Sequence, residues 1–239
     1  MDSLRICHVI HNTEFGGTEA MLHKIVSKLS SQHEMQVISL MRCGEVGNQI
    51  RELGVPVHAI ECVRDRKPRP ERLAGFVKAL RSFKPDVVQT WAYHADLCGG
   101  VAAKLATKAA VVWNIRHATL DPNIDSKNVL RSARLCGRLS RWVPDRILLN
   151  AHAAIEVHEE AGYDRDKMRV IANGFDVDRF CPAPDQKESI RRELKLPTKS
   201  VVLGMCGRFH PHKGQSQFCL LYTSPSPRDQ RGSRMPSSA

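Results

Sequence analysis

Two histidines and an arginine follow short apolar runs near the middle of the chain. His94 comes shortly after DVVQTW, and Arg116 and His117 come directly after AAVVWNI. A histidine can change its charge near neutral pH, whereas an arginine keeps its charge and donates several hydrogen bonds. A lone histidine is more often structural, but these three residues on neighbouring loops favour a pocket for a polar or anionic substrate.

A glycine pair, Gly16 and Gly17, separates the first apolar run from a helix predicted to begin near Thr18. Glycine lets a ligand approach the backbone closely, and the unpaired N–H groups at a helix N-terminus attract phosphate. The pattern therefore indicates a phosphate site, with a plain tight turn as the alternative. The G-x-G-x-x-G sequence of dinucleotide enzymes is absent from this loop, which argues against that class.

Arg208 and Lys213 lie in the segment GMCGRFHPHKG, on a loop that follows another apolar run. The fork of an arginine and the point charge of a lysine are suited to neutralising a diphosphate. A solvated basic loop is the alternative, and the loop by itself does not decide between the two.

Five basic residues are spaced by four, three, four and three positions, which places them on one stripe of an α-helix: Lys127, Arg131, Arg134, Arg138 and Arg141. Such a stripe is often only a solvated face. It also suits a phosphorylated acceptor or anionic lipid headgroups, which predicts peripheral contact with a membrane. Nucleic acid is not an expected partner, because no aromatic residues for base stacking are interleaved with the basic ones.

Two Asp-x-Asp pairs, Asp164 with Asp166 and Asp176 with Asp178, resemble pairs that hold a divalent cation on a nucleotide diphosphate. Both are predicted to lie in connecting loops away from the strand ends, where aspartates commonly stabilise turns. We therefore expect no metal site and no other cofactor.

Short apolar runs alternate with amphipathic stretches over the first 170 residues or so. Seven runs are predicted to be strands: LRICHVIH, MQVISL, VPVHAIE, DVVQTW, AAVVWNI, RILLN and MRVIA. The stretches between them are predicted to be helices, including one over Ala95–Ala106. This alternation predicts an α/β fold, a Rossmann-like parallel sheet with helices on both faces. Ligands of such sheets bind beyond the carboxyl ends of the strands, where His94, Arg116 and His117 would lie.

The Rossmann-like domain is predicted to span residues 1–182 and to be followed, at 183–198, by a linker with a short helix. The run VVLGMCGRF predicts the first strand and loop of a second Rossmann-like domain at 199–218. Residues 219–239 are rich in Ser, Pro and Arg, and codons that could encode them resemble a sequencing adapter. We expect this segment to be an artefactual disordered tail, so the second domain is expected to be truncated.

The composition is that of an ordinary globular protein: 239 residues, 36 Lys plus Arg, 25 Asp plus Glu, and 42% hydrophobic residues. No apolar run approaches the roughly 20 residues that span a bilayer, and the N-terminus lacks a signal-peptide pattern. The eight cysteines are scattered singly, as is typical of a reducing compartment. The expected location is the cytoplasm, with peripheral contact at the inner face of the membrane.

Four segments, taken in order, resemble the retaining glycosyltransferases of family 4: FGGTEAML, VVWNIRH, VIANGFDVDRFCP and GMCGRFHPHKG. The resemblance covers most of residues 4–214. It implies the N-terminal half of a two-domain GT-B fold and the beginning of its donor-binding domain. It also implies transfer of a sugar, with retention, from a nucleotide sugar to a glycan or lipid-linked acceptor in cell-surface polysaccharide biosynthesis.

The resemblance also implies roles for individual residues. Gly16, Gly17, Arg208 and Lys213 would contact the donor diphosphate, and His117 would approach the transferred sugar. His94 and Arg116 would belong to the sugar or acceptor pocket, and the truncated chain would be inactive alone. Two other classes stay open: a non-catalytic Rossmann-like module that binds anionic ligands or a membrane surface, and a nucleotide-sugar epimerase.

Overall fold

Nine strands are present in the computed structural model, which describes residues 2–61, 63–64, 67–68, 70–197 and 199–223. They are β1 (Arg5–Ile10), β2 (Glu34–Ser39), β3 (Val57–Ala59), β4 (Val63–Arg64), β5 (Lys67–Pro68), β6 (Val87–Trp91), β7 (Ala110–Ile115), β8 (Arg146–Leu149) and β9 (Met168–Val170) among those residues. All seven predicted strands of the first domain are confirmed. β4 and β5 form a separate antiparallel hairpin that was not predicted.

The seven predicted strands form one parallel sheet in the order β3-β2-β1-β6-β7-β8-β9. After β3 the chain returns to the middle of the sheet, because β6 pairs with β1 on the side opposite β2. A crevice opens at the carboxyl ends of the strands at such a switch point. The predicted α/β, Rossmann-like fold class is therefore confirmed.

Helices connect the strands and continue after them: α1 (Gly17–Leu29), α2 (Glu45–Glu52), α3 (Pro70–Phe83), α4 (Tyr93–Ala95), α5 (Val101–Ala106), α6 (Lys127–Leu139), α7 (Ala154–Glu160), α8 (Pro184–Glu193) and α9 (Gln215–Thr223). A π-helical turn, Asp96–Gly100, joins α4 to α5. The single helix predicted over Ala95–Ala106 is therefore interrupted next to the crevice.

Side chains on opposite faces of β1 belong to two different hydrophobic cores. Cys7 and Val9 belong to a core that includes Phe76 of α3. Ile10 belongs to a second core that includes Leu22 of α1. Because successive side chains of a strand point to opposite faces, helices cover both faces of the sheet, as predicted.

The chain divides into two compact units, Met1–Gly174 and a second that begins at Phe175, whereas the predicted boundary was residue 182. The described residues of the second unit, 175–197 and 199–223, include α8 and α9 but no strand. The strand predicted from VVLGMCGRF is therefore absent, and its Val201 and Leu203 are exposed. A strand needs a hydrogen-bonded neighbour, and no other described segment of this unit supplies one.

The predicted tail begins inside a helix. Residues 219–223 are the last part of α9, which corrects the predicted start of disorder at Cys219. The rest of the predicted tail, 224–239, lies outside the described residues. In the linker, the short helix predicted near Ser189–Leu194 is longer and is α8, Pro184–Glu193.

Candidate functional site

Two histidines meet at the switch point of the sheet. His11 follows β1 and His94 lies in α4 after β6, and the centroids of their rings are 5.1 Å apart. The sequence pattern indicated His94 but not His11, because the pair forms only when β1 and β6 lie side by side. Ala92, before α4, has a φ of 66°, which non-glycine residues rarely adopt, so the backbone is strained where it enters the crevice.

Both of these imidazoles favour the neutral form. Partial desolvation lowers the pKa of His94 below its usual value. Desolvation, and secondarily the neighbouring His94, lowers the pKa of His11. Neutral rings donate and accept hydrogen bonds without carrying a charge, so this pair is suited to sugar hydroxyl groups.

Arg116, directly after β7, is held by two contacts. Its Nη2 donates a hydrogen bond of 2.7 Å to Oδ1 of Asn173. Its guanidinium carbon lies 5.8 Å from the centroid of the buried Trp91 ring, within the range of a cation–π interaction. The sequence segments VVWNIRH and VIANG therefore meet at this arginine, which carries a fixed positive charge into the crevice.

His117, the next residue, stacks on a buried tyrosine. Its ring centroid is 5.0 Å from that of Tyr93, with 25° between the ring planes. The Tyr93 hydroxyl donates to Nε2 of His158 across 2.7 Å, and Nδ1 of His158 donates to the Ala154 carbonyl, also across 2.7 Å. The sequence pattern did not indicate Tyr93 or His158, because they are 65 residues apart and neither lies in a recognisable motif.

The glycine pair lies at the start of α1, as predicted. Gly16 is the N-cap, with extended backbone and no side-chain hydrogen bond to the helix end. A Cβ on Gly17 would meet nothing within 4 Å, so a ligand has room to approach the backbone there. A Cβ on Gly16 would lie 2.3 Å from the Glu19 carboxylate, so a phosphate bound here would share the helix end with an acidic side chain.

The loop that carries the glycine pair is anchored to α2 through Thr13. The Thr13 carbonyl accepts from the backbone N–H groups of Val46 and Gly47, and its hydroxyl accepts from the N–H of Gly44 across 2.9 Å. Thr13 therefore caps α2. A Cβ on Gly44 would lie 2.6 Å from the Thr13 carbonyl oxygen, so only glycine permits this close approach.

Polar side chains are also buried beneath the crevice. Asp96, at the start of the π-helical turn, is fully buried and accepts a short hydrogen bond from the Thr90 hydroxyl. Desolvation raises the pKa of Asp96 to about 8 despite that bond, so the carboxyl is mainly protonated at neutral pH. On the other face of the sheet, desolvation lowers the pKa of buried His8 to about 4, and its Nδ1 accepts from Nε1 of Trp91.

Arg208 and Lys213 belong to the second unit, so the structure does not bring them into the first unit's crevice. Lys213 ends a 3₁₀ turn, Pro211–Lys213. A Cβ built on Gly207, the neighbour of Arg208, would lie 3.7 Å from Cδ of Lys213, so the loop folds back on itself. Both cations therefore belong to one compact loop, while their diphosphate role stays a prediction.

The predicted basic stripe lies on and just after α6. All five of its members are exposed: Lys127, Arg131, Arg134, Arg138 and Arg141. Two large apolar side chains are exposed on the same part of the surface, Leu135 at 46% and Trp142 at 67%. Lys167 Nζ donates to carbonyls at the end of α6, including that of Arg141 across 2.6 Å, and holds this end in place.

The two Asp-x-Asp pairs lie in turns. Asp164 Oδ1 accepts from the backbone N–H of Asp166, at the start of the Arg165–Lys167 3₁₀ turn. Asp176 Oδ1 accepts from the backbone N–H of Arg179. These carboxylates stabilise turns, which is the role that the sequence analysis favoured.

The sequence profile of Glycosyltransferase Family 4 matches residues 15–179. The chain belongs to this family. The match contains the glycine pair, His94, Arg116, His117 and the basic stripe. It ends before Arg208 and Lys213, which lie outside the matched region.

Two curated relatives of this family 4 chain are bacterial glycosyltransferases. It is 26% identical over 174 residues to the UDP-Gal:α-D-GlcNAc-diphosphoundecaprenol α-1,3-galactosyltransferase of Escherichia coli, covering 72% of the chain and 44% of that enzyme. It is 36% identical over 86 residues to the D-inositol 3-phosphate glycosyltransferase of Corynebacterium jeikeium, covering 35% of the chain and 20% of that enzyme. The chain thus spans less than half the length of either relative.

Among solved structures, the family 4 chain resembles Anabaena HepE in complex with UDP-glucose. The TM-score is 0.74 at 20% identity, covering 94% of this chain and 58% of HepE. At this identity the likeness supports the fold, the predicted N-terminal half of a GT-B architecture. Within the part of the chain that the structure describes, no helix is long and apolar enough to cross a membrane.

Proposed function

We propose that the protein containing this chain transfers a sugar, with retention of configuration, from a nucleotide sugar to a glycan or lipid-linked acceptor. One observation carries the proposal: the family 4 region holds His94, Arg116 and His117 at the carboxyl ends of adjacent strands, beside the switch point of the sheet. UDP-glucose bound to HepE and the diphosphoundecaprenol-linked acceptor named for the E. coli relative support the two substrate classes. We place the reaction in cell-surface polysaccharide biosynthesis.

The proposed reaction breaks the bond between the sugar and the nucleoside diphosphate, and the acceptor attacks the same face through an oxocarbenium-like state. Negative charge then builds on the departing diphosphate, so fixed donors and positive charges stabilise the transition state. We assign this role to the Gly16 and Gly17 backbone and to Arg208 and Lys213, without a metal. We assign His117 to the transferred sugar.

The role of His117 is tested in the complete open reading frame that contains the chain. His117→Ala should lower kcat by roughly a hundredfold or more with a panel of nucleotide sugars, because a positioned polar group is lost from the reacting centre. His58→Ala is the matched control, since His58 is exposed on β3 at the far edge of the sheet. Full turnover by His117→Ala would contradict the assignment.

Products distinguish the proposed transferase from the two alternatives. A transferase yields glycosylated acceptor and free nucleotide, whereas an epimerase converts the nucleotide sugar without any acceptor. A binding module retains the nucleotide sugar unchanged. Product analysis with and without acceptor separates the three outcomes.

We also propose that the basic stripe on α6 contacts anionic membrane lipids on the cytoplasmic side. Trp142 and Leu135 support this reading, because exposed apolar side chains beside basic ones suit the interface between lipid headgroups and hydrocarbon. Lys167 supports it further by fixing the helix end that presents Arg141 and Trp142.

Liposome sedimentation tests the membrane proposal. Arg131, Arg134 and Arg138 changed together to Gln should weaken binding to anionic vesicles by about 3 kcal/mol, or roughly a hundredfold, at about 1 kcal/mol per charge. The control changes three exposed basic residues elsewhere to Gln and removes the same charge: Lys28, Arg42 and Arg72. Equal losses in both triple variants would indicate only a general charge effect and would contradict a specific membrane surface.

We further propose that the 239-residue chain does not transfer sugar by itself. Arg208 and Lys213 lie in a unit whose described residues form no strand, so the scaffold expected around the donor diphosphate is incomplete there. Donor hydrolysis and sugar transfer should be measured for the chain and for the product of the complete reading frame. Robust turnover by the chain would contradict this proposal.

A further inference from the structure

The ring of Tyr93 lies between two histidines of different exposure. On one side it stacks on His117, which is half-buried at the crevice. On the other side its hydroxyl bonds to His158, which is fully buried in α7. Tyr93 itself is only 1% exposed, so it has no contact with bulk water. The three side chains form one connected path from the crevice into the core.

The hydrogen bonds of this path define how each group is protonated. The Ala154 carbonyl can only accept, so Nδ1 of His158 carries the proton. Desolvation lowers the pKa of His158 more than the hydrogen bond to Ala154 raises it, with a smaller electrostatic contribution from His117, so the ring is neutral. Nε2 of a neutral ring with a proton on Nδ1 is an acceptor, so the Tyr93 hydroxyl must donate. The Tyr93 ring is thereby held in one orientation.

We propose that Tyr93 and His158 are positioning residues that set the orientation of the His117 ring for sugar transfer. Burying a hydroxyl and an imidazole is unfavourable unless they are hydrogen-bonded, whereas Phe and Leu would fill the same volume without that requirement. The paired polar groups add a defined ring plane against which His117 stacks. The effect on sugar transfer rests on the proposed function, whereas the orientation of the His117 ring does not.

The geometry is tested by NMR on the 239-residue chain. In the wild type, His117 and Tyr93 ring protons should show a nuclear Overhauser effect, and the His117 resonances should be shifted upfield by the Tyr93 ring. Tyr93→Phe and His158→Leu should both reduce that shift, while His158→Gln should retain most of it because its side-chain oxygen can accept from Tyr93. An absent Overhauser effect, or unchanged His117 resonances in Tyr93→Phe and His158→Leu, would overturn the proposal.

Tyr163→Phe is the matched control for these spectra. Tyr163 is buried and packs edge-on against His158, with ring centroids 5.2 Å apart. Its substitution removes a buried hydroxyl from the same cluster without touching the Tyr93–His158 bond. The His117 resonances should be unchanged in this variant. A shift equal to that in Tyr93→Phe would indicate general loosening and would overturn the specific role.

Kinetics in the complete reading frame test the catalytic consequence. Tyr93→Phe should lower kcat about tenfold, because a misplaced group loses part of its contribution, and should leave the donor KM unchanged. In the His117→Ala background the same substitution should have no further effect. Equal effects in both backgrounds, or a raised KM with unchanged kcat, would overturn the positioning role. If the wild type transfers no sugar, the proposed function fails and the spectra alone decide the positioning.

Discussion

Two groups of polar residues differ in exposure, although some of their members are close in sequence. The open group lies just beyond the carboxyl ends of β1, β6 and β7 and consists of His11, His94, Arg116 and His117. The buried group lies beneath it and consists of His8, Tyr93, Asp96 and His158. His8 and His11 bracket the end of β1, and Tyr93 and His94 are adjacent. Residue type alone therefore does not distinguish a ligand-facing group from a structural one.

The comparison shows that burial changes what the same side chain can do. A histidine in the open group can reach a substrate, whereas His8 has its Nε2 buried without a hydrogen-bond partner among the described residues. Burial shifts the pKa of an ionisable group in the direction that favours its neutral form. The cost of burying the group therefore appears as a pH dependence of folding stability. Asp96 and His8 of the buried group should thus make stability depend on pH, and the open group should contact the substrate directly.

The largest expected effect concerns Asp96. Its pKa is raised from 3.8 to about 8 on folding, so the stability it provides is present below pH 3.8 and is lost as the pH rises toward 8. Asp96→Asn removes this titration. When the pH is raised from about 5 to about 7.5, the free energy of unfolding of the variant minus that of the wild type should increase by about 3 kcal/mol.

Urea titrations at the two pH values measure this difference. Asp2→Asn is the control, because Asp2 is exposed and its substitution should give the same difference from the wild type at both pH values. A pH-independent effect of Asp96→Asn would show that the carboxyl is ionised in the folded protein.

The second effect has the opposite sign and concerns His8. Its pKa is lowered from 6.5 to about 4, so its stability contribution is present above pH 6.5 and is lost as the pH falls toward 4. His8→Asn keeps an acceptor for Trp91 and removes the titration. When the pH is lowered from about 7.5 to about 5, the free energy of unfolding of the variant minus that of the wild type should increase by about 2 kcal/mol.

The same urea titrations measure the His8 effect, and the two variants provide a check on each other. Relative to the wild type, Asp96→Asn should be more stable at high pH than at low pH, and His8→Asn should be more stable at low pH than at high pH. If both variants changed with pH in the same direction, the assignment of the neutral form to one of the two residues would be wrong.

The smallest expected effect is in the open group and rests on the proposed function. His94→Ala should lower kcat/KM about tenfold, or about 1.4 kcal/mol, because one polar contact to the substrate is lost. Its melting temperature should fall by less than that of a substitution in the buried group, since His94 is only partly buried. Calorimetry and initial rates measure the two quantities. A large loss of stability with unchanged kinetics would place His94 in the buried group.

Local pattern was sufficient to predict most of the first unit. The alternation of apolar runs and amphipathic stretches identified all seven strands of the sheet, because a buried parallel strand must be apolar along its length. The same pattern failed for VVLGMCGRF in the second unit, since an apolar run becomes a strand only when a neighbour pairs with it. It also missed the π-helical turn, where Cβ atoms on Gly99 and Gly100 would collide with Val9 and Trp113.

Within the candidate site, the sequence by itself determined which residues follow strand ends, and hence that His94, Arg116 and His117 lie at the carboxyl edge of the sheet. Only the tertiary structure decided their partners. Strand order brings His11 to His94, and the packing of α7 brings His158 to Tyr93. The physical reason is that residue type and spacing act through local backbone geometry, whereas these contacts join segments that the chain brings together only when the sheet and its helices are assembled.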